Sequence, residues 1–418
     1  MGRSIQLASM GILAMLACGS GSAAQDKHVL RGAALDRRVQ SLMTAAHVPG
    51  LALALIENGR VTYLKAYGER DVEHHLPLQT DTVMYAASLT KAAFAYSTMM
   101  LVDEGRLDLD RGIDKDLPKP LPAYPKYADL ANDPRWRLIT PRILLSHRAG
   151  FANYRYWPPG KDYDPNGKLA IYVDPGKRYA YSGEGINLLQ FVIEQGIGVD
   201  VDDYMRTHLF ERFGMTRTSM VWRTDFADNY AQGYDVAGKW DGHTRRTQVR
   251  AAGSMDTTVH DYAQLAAAMV RGEGLKPATY TQWLKPQIRI HSAQQFPTLT
   301  LPDSTDNDGI ALSYAMGVGT FQSPQGPAWF KEGHDDGTSN LLVCLERSRE
   351  CMLVLSNSNN AESIFPYLLQ STLGQTCFPW FWDGYIPYDH PAWRSPAALR
   401  QPHPPCMSFE PGVEPAAG

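Results

Sequence analysis

Ser88 and Lys91 stand three residues apart in the stretch YAASLTKAAFAYSTM, residues 85–99. A serine hydroxyl is a poor nucleophile near neutral pH. It needs a base within hydrogen-bond reach and donors for the oxyanion that forms on an attacked carbonyl. On a helix, residues i and i+3 are neighbours with Cβ atoms ~5–6 Å apart, so the Lys91 amine can reach the Ser88 hydroxyl. Burial lowers a lysine pKa and frees a neutral amine to act as base. A helix N-terminus adds a field that favours developing negative charge. Alone, this spacing equally fits an N-cap serine and a solvated lysine. The apolar run AAFAYSTMM after Lys91 argues against a solvated first turn.

Two further stretches carry polar groups with chemical use. In PGKRYAYSGEGINLLQFVIE, residues 175–194, Tyr181-Ser182-Gly183 lies between a Pro-Gly turn and an apolar helical pattern. A phenol serves as general base only where nearby cations hold it as phenolate or relay its proton, and Lys91 would be such a cation. In FKEGHDDGTSNLLVCLE, Gly333-His334 leads through Asp335, Asp336, Gly337 and Thr338 into an apolar strand. Such a strand edge can line a substrate groove. Read singly, Tyr181 also fits a core tyrosine, and His334 a loop histidine paired with Asp335 or Asp336.

The elements that must position these groups are legible in outline. Leu35 to Ala46 has helical spacing. GLALALIENGRVTYLKAYGE places Asn58-Gly59 between two apolar runs, the strongest short hairpin signal. Ser88 to about Asp103 lacks proline and glycine, and Gly105 suits a C-cap, so a buried helix should begin at or near Ser88. A long, mainly helical section follows, in which Thr258 and Asp261 form a capping box. Strand patterns return from about 312 to 357, and a helical pattern from about 361 to 373. The expected fold is α+β. One antiparallel sheet flanked by helices is assembled from both chain ends (about 30–104 and 305–375), with an inserted helical lobe (about 105–304). The tail from 376 to 418 is dense in proline and aromatics. It reads as irregular chain packed along the surface.

The 418 residues carry 40 Lys plus Arg against 44 Asp plus Glu, a net charge of −4. That balance gives no electrostatic case for nucleic acid, and a small-molecule or peptide substrate is expected. No His-x-His or His-Glu-x-x-His spacing supports a metal, and no cofactor is implied. Met1 to Ala24 has the layout of a secretory signal, with Ser22-Ala23-Ala24 as a small-x-small cleavage site. Leu16-Ala17-Cys18-Gly19 also fits a bacterial lipobox, which would leave a lipid on Cys18. The expected location is therefore periplasmic or secreted, with no membrane span. Export makes the remaining cysteines candidates for disulfides. LLVCLERSRECMLVL reads as a hairpin that sets Cys344 opposite Cys351, which leaves Cys377 and Cys406 to clamp the tail.

The order SLTK, then YSG after PGxxY, then GHxxG before a strand resembles the class C β-lactamase and penicillin-recognising serine hydrolases, a family that includes DD-peptidases, D-aminopeptidases and esterases. The phrases VPGLALALIENGRV, ITPRILLSHRAG and AAGSMDTTVHDYAQL match as well, and the resemblance covers roughly residues 35–373. It implies an active site between two lobes, with Ser88 as nucleophile, Lys91 and Tyr181 sharing proton transfer, and His334 in a substrate-binding position. The backbone N–H groups of Ser88 and Gly337 would form the oxyanion hole. Two departures matter. Gly183 stands where the tyrosine motif often ends in a substrate-binding asparagine, and His334-Asp335-Asp336 stands where lysine-threonine-glycine or histidine-threonine-glycine is usual. The first weakens the case for amide or β-lactam specificity. The second makes the mouth of the site acidic. The expected activity is hydrolysis of ester, amide or D-peptide, or β-lactam bonds through an acyl-enzyme. The alternatives are a class C-type β-lactamase proper and a non-catalytic binding protein of the same fold.

Overall fold

The computed structural model describes Met1, residues 29–395 and, beyond them, residues 398, 401, 403, 405–407 and 409. Apart from Met1, the signal-like stretch with its cleavage site and Cys18 lies outside the described residues. A helix α1 (Gly32–Ala45) leads into strands β1 (Gly50–Glu57) and β2 (Arg60–Asp71). Asn58 and Gly59 both take positive φ, 52° and 72°, as a two-residue hairpin turn demands. After the edge strand β3 (Leu76–Pro77) the chain enters α2 (Leu89–Asp103). Residues 89–101 of α2 are all buried, as expected of a helix apolar on every side.

The helix α3 (Gly183–Val192) and the helix α4 (Val259–Arg271) belong to the insertion. Thr258 caps α4 by accepting from the Asp261 N–H. Strands β4 (Ile288–Arg289), β5 (Ser313–Tyr314), β6 (Gly319–Ser323), β7 (Gly326–Asp335), β8 (Thr338–Leu345) and β9 (Glu350–Ser356) then complete a nine-stranded sheet of order β3-β2-β1-β9-β8-β7-β6-β5-β4. Every neighbouring pair in it is antiparallel. The first strand thus pairs with the last, Leu51 opposite Ser356.

Alternation along the strands feeds two cores. Ala52, Ala54 and Ile56 of β1 face α2 and α4, while Leu51, Leu53 and Leu55 face α1 and the helix α5 (Phe365–Leu373). The division into lobes differs from expectation at two places. Ile288 of β4 pairs with Tyr314, so the sheet starts inside the segment assigned to the helical lobe. The α4 helix shares the core of β1 and β9 because its apolar stripe has no other sheet to cover.

The tail is the larger correction. It holds a four-residue helix α6 (Trp380–Asp383), and Phe378, Trp380, Trp382 and Tyr385 are buried in the core beside α1 and α5. These aromatics bury too much apolar area to lie on a surface. Both cysteine pairings form, Cys344–Cys351 across β8 and β9 and Cys377–Cys406 across the tail. No helix among the described residues is long and apolar enough to cross a membrane. Closing a loop of this size is worth about 3–4 kcal/mol in the chain-entropy picture. Cys377→Ser with Cys406→Ser should therefore lower the thermal midpoint, and it should lower any turnover in the cleft described next, because α6 and the residues after it form part of its wall. Calorimetry and turnover on the double variant check both effects.

Candidate active site

The segment before α2 is bent to present Ser88. Ala87 sits at φ 45°, a left-handed conformation that costs a residue with a Cβ about 1–2 kcal/mol. Surrounding bonds hold it there: the Ala86 N–H donates to Met255 O (3.0 Å), and Thr90 Oγ1 donates to Ala87 O (2.6 Å). Ser88 is then the N-cap of α2. One turn later the Lys91 side chain is fully buried. Its Nζ lies 2.9 Å from Ser88 Oγ and donates to Ala252 O at 2.6 Å. Burial, reinforced by the charge of Lys331, holds the Lys91 amine well below the ordinary lysine range.

Tyr181 comes to the same point from the far wall. Ser182 caps α3, accepting from the Gly185 N–H (3.0 Å) and donating to Ala152 O (2.8 Å), which fixes the residue before it. The Tyr181 hydroxyl comes beside Ser88, whose hydroxyl counters part of the upward shift of the phenol pKa, and Lys91 Nζ lies 5.0 Å from the centre of its ring. Burial, together with the charge of Glu332, pushes the phenol well above its usual range. Phenolate is therefore disfavoured here, and the neutral amine of Lys91 is the better base. Behind Tyr181, the buried His147 ring lies tilted against it with ring centres 4.3 Å apart, and its Nδ1 accepts the Ser182 N–H at 3.1 Å. Burial pushes His147 far down, so it is a neutral support for the phenol.

Sequence reasoning misses Lys331. Residues alternate along β7, and Trp329, Lys331 and Gly333 share the face toward α2. Lys331 Nζ donates to the Tyr181 hydroxyl at 3.3 Å and to Glu332 O at 3.1 Å, and it pairs with the Glu332 carboxylate. The lysine-x-glycine of the site is thus Lys331-Glu332-Gly333, three residues before the His334-Asp335-Asp336 taken for it. The signal that could have found it is a lone lysine inside the apolar strand AWFKEG. Gly333 is required by contact: a Cβ there would lie 2.6 Å from Ala86 O and 3.1 Å from the Leu89 nitrogen. Gly333→Ala should push β7 off the start of α2. It should cost about 1–3 kcal/mol of stability and lower turnover more than stability alone explains, as denaturant melts and ester kinetics on one preparation would show.

Three other expectations change. Gly337 is not an oxyanion donor: it sits in the β7–β8 turn, and its N–H donates to Asn359 Oδ1 at 2.8 Å. The register supplies a replacement. Asp335 pairs with Thr338 across a two-residue turn, so His334 opposite Ser339 is a non-hydrogen-bonded pair. Its N–H points away from β8, to the side where β6 has already ended at Gly319 opposite Phe330. Ser88, at the head of α2, and His334 are therefore the candidate pair of backbone donors. Second, the His334 side chain lines the cleft as expected, but it is held there by a carboxylate that the sequence does not reveal. Its Nδ1 pairs with Glu362 at 3.0 Å. Burial opposes its charge, but Glu362 and the carboxylates of Asp335 and Asp336 outweigh that and raise its pKa. Third, Gly183 does not line the cleft. A Cβ on it would meet the Tyr154 ring at 2.9 Å, and its N–H donates to Asn153 Oδ1 at 2.9 Å. Asn153, which does line the cleft, supplies the side-chain amide that a glycine lacks.

The cleft has a volume of about 560 Å³ and contains Ser88, Tyr181, Asn153 and His334. Asp383, Gly384 and Tyr385 of the tail form part of its wall. Among the described residues no group of three or more side chains is arranged to hold a metal.

Comparison with known proteins agrees with this architecture. Over 334 residues the chain is 27% identical to a penicillin-binding protein of Bacillus subtilis (strain 168), a match that covers 72% of this chain and 66% of that protein's length. The octameric penicillin-binding protein homologue from Pyrococcus abyssi superposes with a TM-score of 0.65 at 21% identity, over 82% of this chain and 77% of that one. A structure described as EstCE1, a hydrolase with promiscuous acyltransferase activity, does so with a TM-score of 0.62 at 19% identity, over 81% and 95%. At these identities the two structures speak for the fold. Residues 35–371 match the family model described as Beta-lactamase, and with that match the chain belongs to the beta-lactamase family of serine hydrolases.

Proposed function

We propose that this protein hydrolyses ester, amide or lactam bonds through an acyl-enzyme on Ser88, with simple esters as its readiest substrates. The observation that carries the reading is the meeting of Ser88 Oγ, the depressed amine of Lys91 and the Tyr181 hydroxyl at the head of a buried helix. Neutral Lys91 takes the Ser88 proton as Oγ attacks the carbonyl carbon. The oxyanion is received by the N–H groups of Ser88 and His334, a contribution of ~10²–10³ in rate per donor. Lys91 then returns the proton through the Tyr181 hydroxyl to the leaving group. The Lys331 ammonium holds that hydroxyl in line and stabilises negative charge upon it. In the second half-reaction water gives its proton to the same pair, and Lys91 reprotonates Ser88 as the acid departs.

Esters are favoured over β-lactams by charge. A β-lactam antibiotic carries a carboxylate, and the cleft walls hold Asp335 and Asp336 without an ion-pair partner among the described residues. The hydrolase and acyltransferase description of EstCE1 is consistent with an ester preference. The test compares a short-chain nitrophenyl ester with a chromogenic cephalosporin and maps the trapped adduct by peptide mass. Ester turnover well above cephalosporin turnover, with the acyl group on Ser88, supports the reading. An adduct on another residue, or none with any of the substrates, overturns it.

A further inference from the structure

The Lys331 ammonium carries three hydrogens and has three acceptors: the Tyr181 hydroxyl at 3.3 Å, Glu332 O at 3.1 Å and the Glu332 carboxylate. Only the first lies on the proton path. The other two belong to one residue, and they fix the direction of the hydrogen left for Tyr181. Lys331 is also fully buried, and burial without an anion alongside favours the neutral amine. Both the aim and the charge of Lys331 therefore depend on Glu332.

Glu332 is itself held from outside. Its Oε1 takes Lys331 and also accepts from Gln295 Nε2 at 3.0 Å. Gln295 is buried, its N–H donates to Trp382 O at 2.7 Å, and its carbonyl accepts from Thr298 Oγ1. Trp382 in turn donates from Nε1 to Ser292 Oγ at 3.3 Å. The contacts thus run from α6 through Gln295 and Glu332 to Lys331 and Tyr181. Since α6 lies beyond residues 35–371, the support comes from outside the part of the chain shared with the family. Asp383 of α6 does not compete for Lys331. Burial and the charge of Glu332 push its carboxyl well above the usual range.

The surroundings leave this pair in control. His147, Tyr181 and Asp335 also face the two lysines, and Tyr179, Tyr314 and Tyr385 face Glu332. Burial keeps His147 and the four phenols neutral. Asp335 and the His334–Glu362 pair are the further charges nearby. At Lys91 the charge of Lys331 lowers the pKa and that of Glu332 raises it, with Lys331 the stronger of the two.

We propose that Glu332, steadied by Gln295, is a positioning residue for proton transfer: it keeps Lys331 charged and aimed at the Tyr181 hydroxyl. This inference rests on the acyl-enzyme reading of Ser88. Glu332 touches neither the substrate nor Ser88 in this role and acts through Lys331 alone. Two consequences of removing its charge oppose each other in sign. If Lys331 then loses its proton, the stronger depressing charge at Lys91 disappears and the Lys91 pKa rises. If Lys331 keeps its proton, only an anion is lost and the Lys91 pKa falls further. The proposal requires the first.

The test is the pH profile of kcat/KM for a short-chain nitrophenyl ester in wild type, Glu332→Gln, Gln295→Met and Lys331→Met. Glu332→Gln keeps the shape of the side chain and removes its charge. Its ascending limb should move to higher pH by about one unit or more, the same direction as in Lys331→Met. Its kcat should fall by about tenfold or more, a share of the ~10²–10⁴ that positioned proton transfer contributes, while KM holds. Gln295→Met should move the limb the same way by less, and an unmoved limb there strikes Gln295 from the proposal. A limb that moves to lower pH in Glu332→Gln, or stays in place, overturns the role of Glu332. If Glu332→Gln does not fold, Lys331→Met and the double variant Lys331→Met/Glu332→Met decide it, since apolar replacement of a buried ion pair is commonly tolerated. A residue that acts only through Lys331 adds nothing once Lys331 is gone, so the two should agree in kcat/KM within about threefold. A further loss in the double variant overturns the proposal. The two readings fail separately. A Ser88 adduct with an unmoved limb in Glu332→Gln removes the positioning role alone, whereas turnover unaffected by Ser88→Ala removes the acyl-enzyme, whatever the limb does.

Discussion

Ser88→Ala should abolish ester turnover, by roughly 10⁴-fold or more, and should eliminate the mass shift left by a serine-directed phosphonate. The size follows from the chemistry. Without the hydroxyl no acyl-enzyme forms, and what remains is direct attack by water on a carbonyl held against two N–H donors. The substitution removes one oxygen from an N-cap position whose side chain makes no cap hydrogen bond to the helix. The thermal midpoint should therefore hold within about 1 kcal/mol of wild-type stability. A large loss of activity with an intact midpoint is the signature of a nucleophile. A large loss of both would point to a structural serine, and full labelling of the variant would place the nucleophile elsewhere.

Lys91→Met should produce the second large effect, with two opposed readouts. Turnover should fall by ~10²–10⁴, the usual contribution of a positioned general base. Stability should stay level or rise, because an amine sealed in the core beside Lys331 is replaced by an apolar chain of similar length. The pH profile carries the same message. Burial and Lys331 depress the Lys91 pKa, so its folded value lies below its unfolded one. The neutral amine is the working form. In wild type, kcat/KM should thus climb with pH through this lowered pKa, be lost below it, and reach its plateau well short of the ordinary lysine range near 10.5. Lys331→Met should shift the ascending limb upward, since it removes a cation that depresses Lys91. A limb that stays in place in the Lys331 variant would detach Lys91 from the base role.

What the sequence discloses about this site follows the range over which its signals act. Ser88, Lys91 and the α2 helix are visible because a three-residue spacing and an unbroken apolar run are local. The Cys344–Cys351 hairpin is visible because strand alternation fixes which residues stand opposed. Lys331 is hidden by the same strand. Between Trp329 and Gly333 it has the look of a chance charge in an apolar run, and only the pairing of β7 with β8 shows that it faces Tyr181. Gly337 misleads for a related reason. The two-residue turn at Asp336-Gly337 places the free N–H at His334, and turn length cannot be read from a string of Asp-Asp-Gly-Thr. Asp383 gives no local signal at all. It reaches the cleft because Phe378, Trp380 and Trp382 fill the second core around it, a result of packing between segments nearly the full chain apart.

The pairing of β1 with β9 also bears on how the molecule comes into being. Leu51 pairs early with Tyr67 of β2, but its other edge has no partner until Ser356 exists, so a ribosome must deliver nearly the entire chain before the sheet can close. Until then the apolar faces of β1 and of α2 have nothing permanent to lie against, and the growing polypeptide stays open and threadable. The hydrolytic centre is finished later still, when residues 377–385 arrive, so an unfinished chain carries no working active centre.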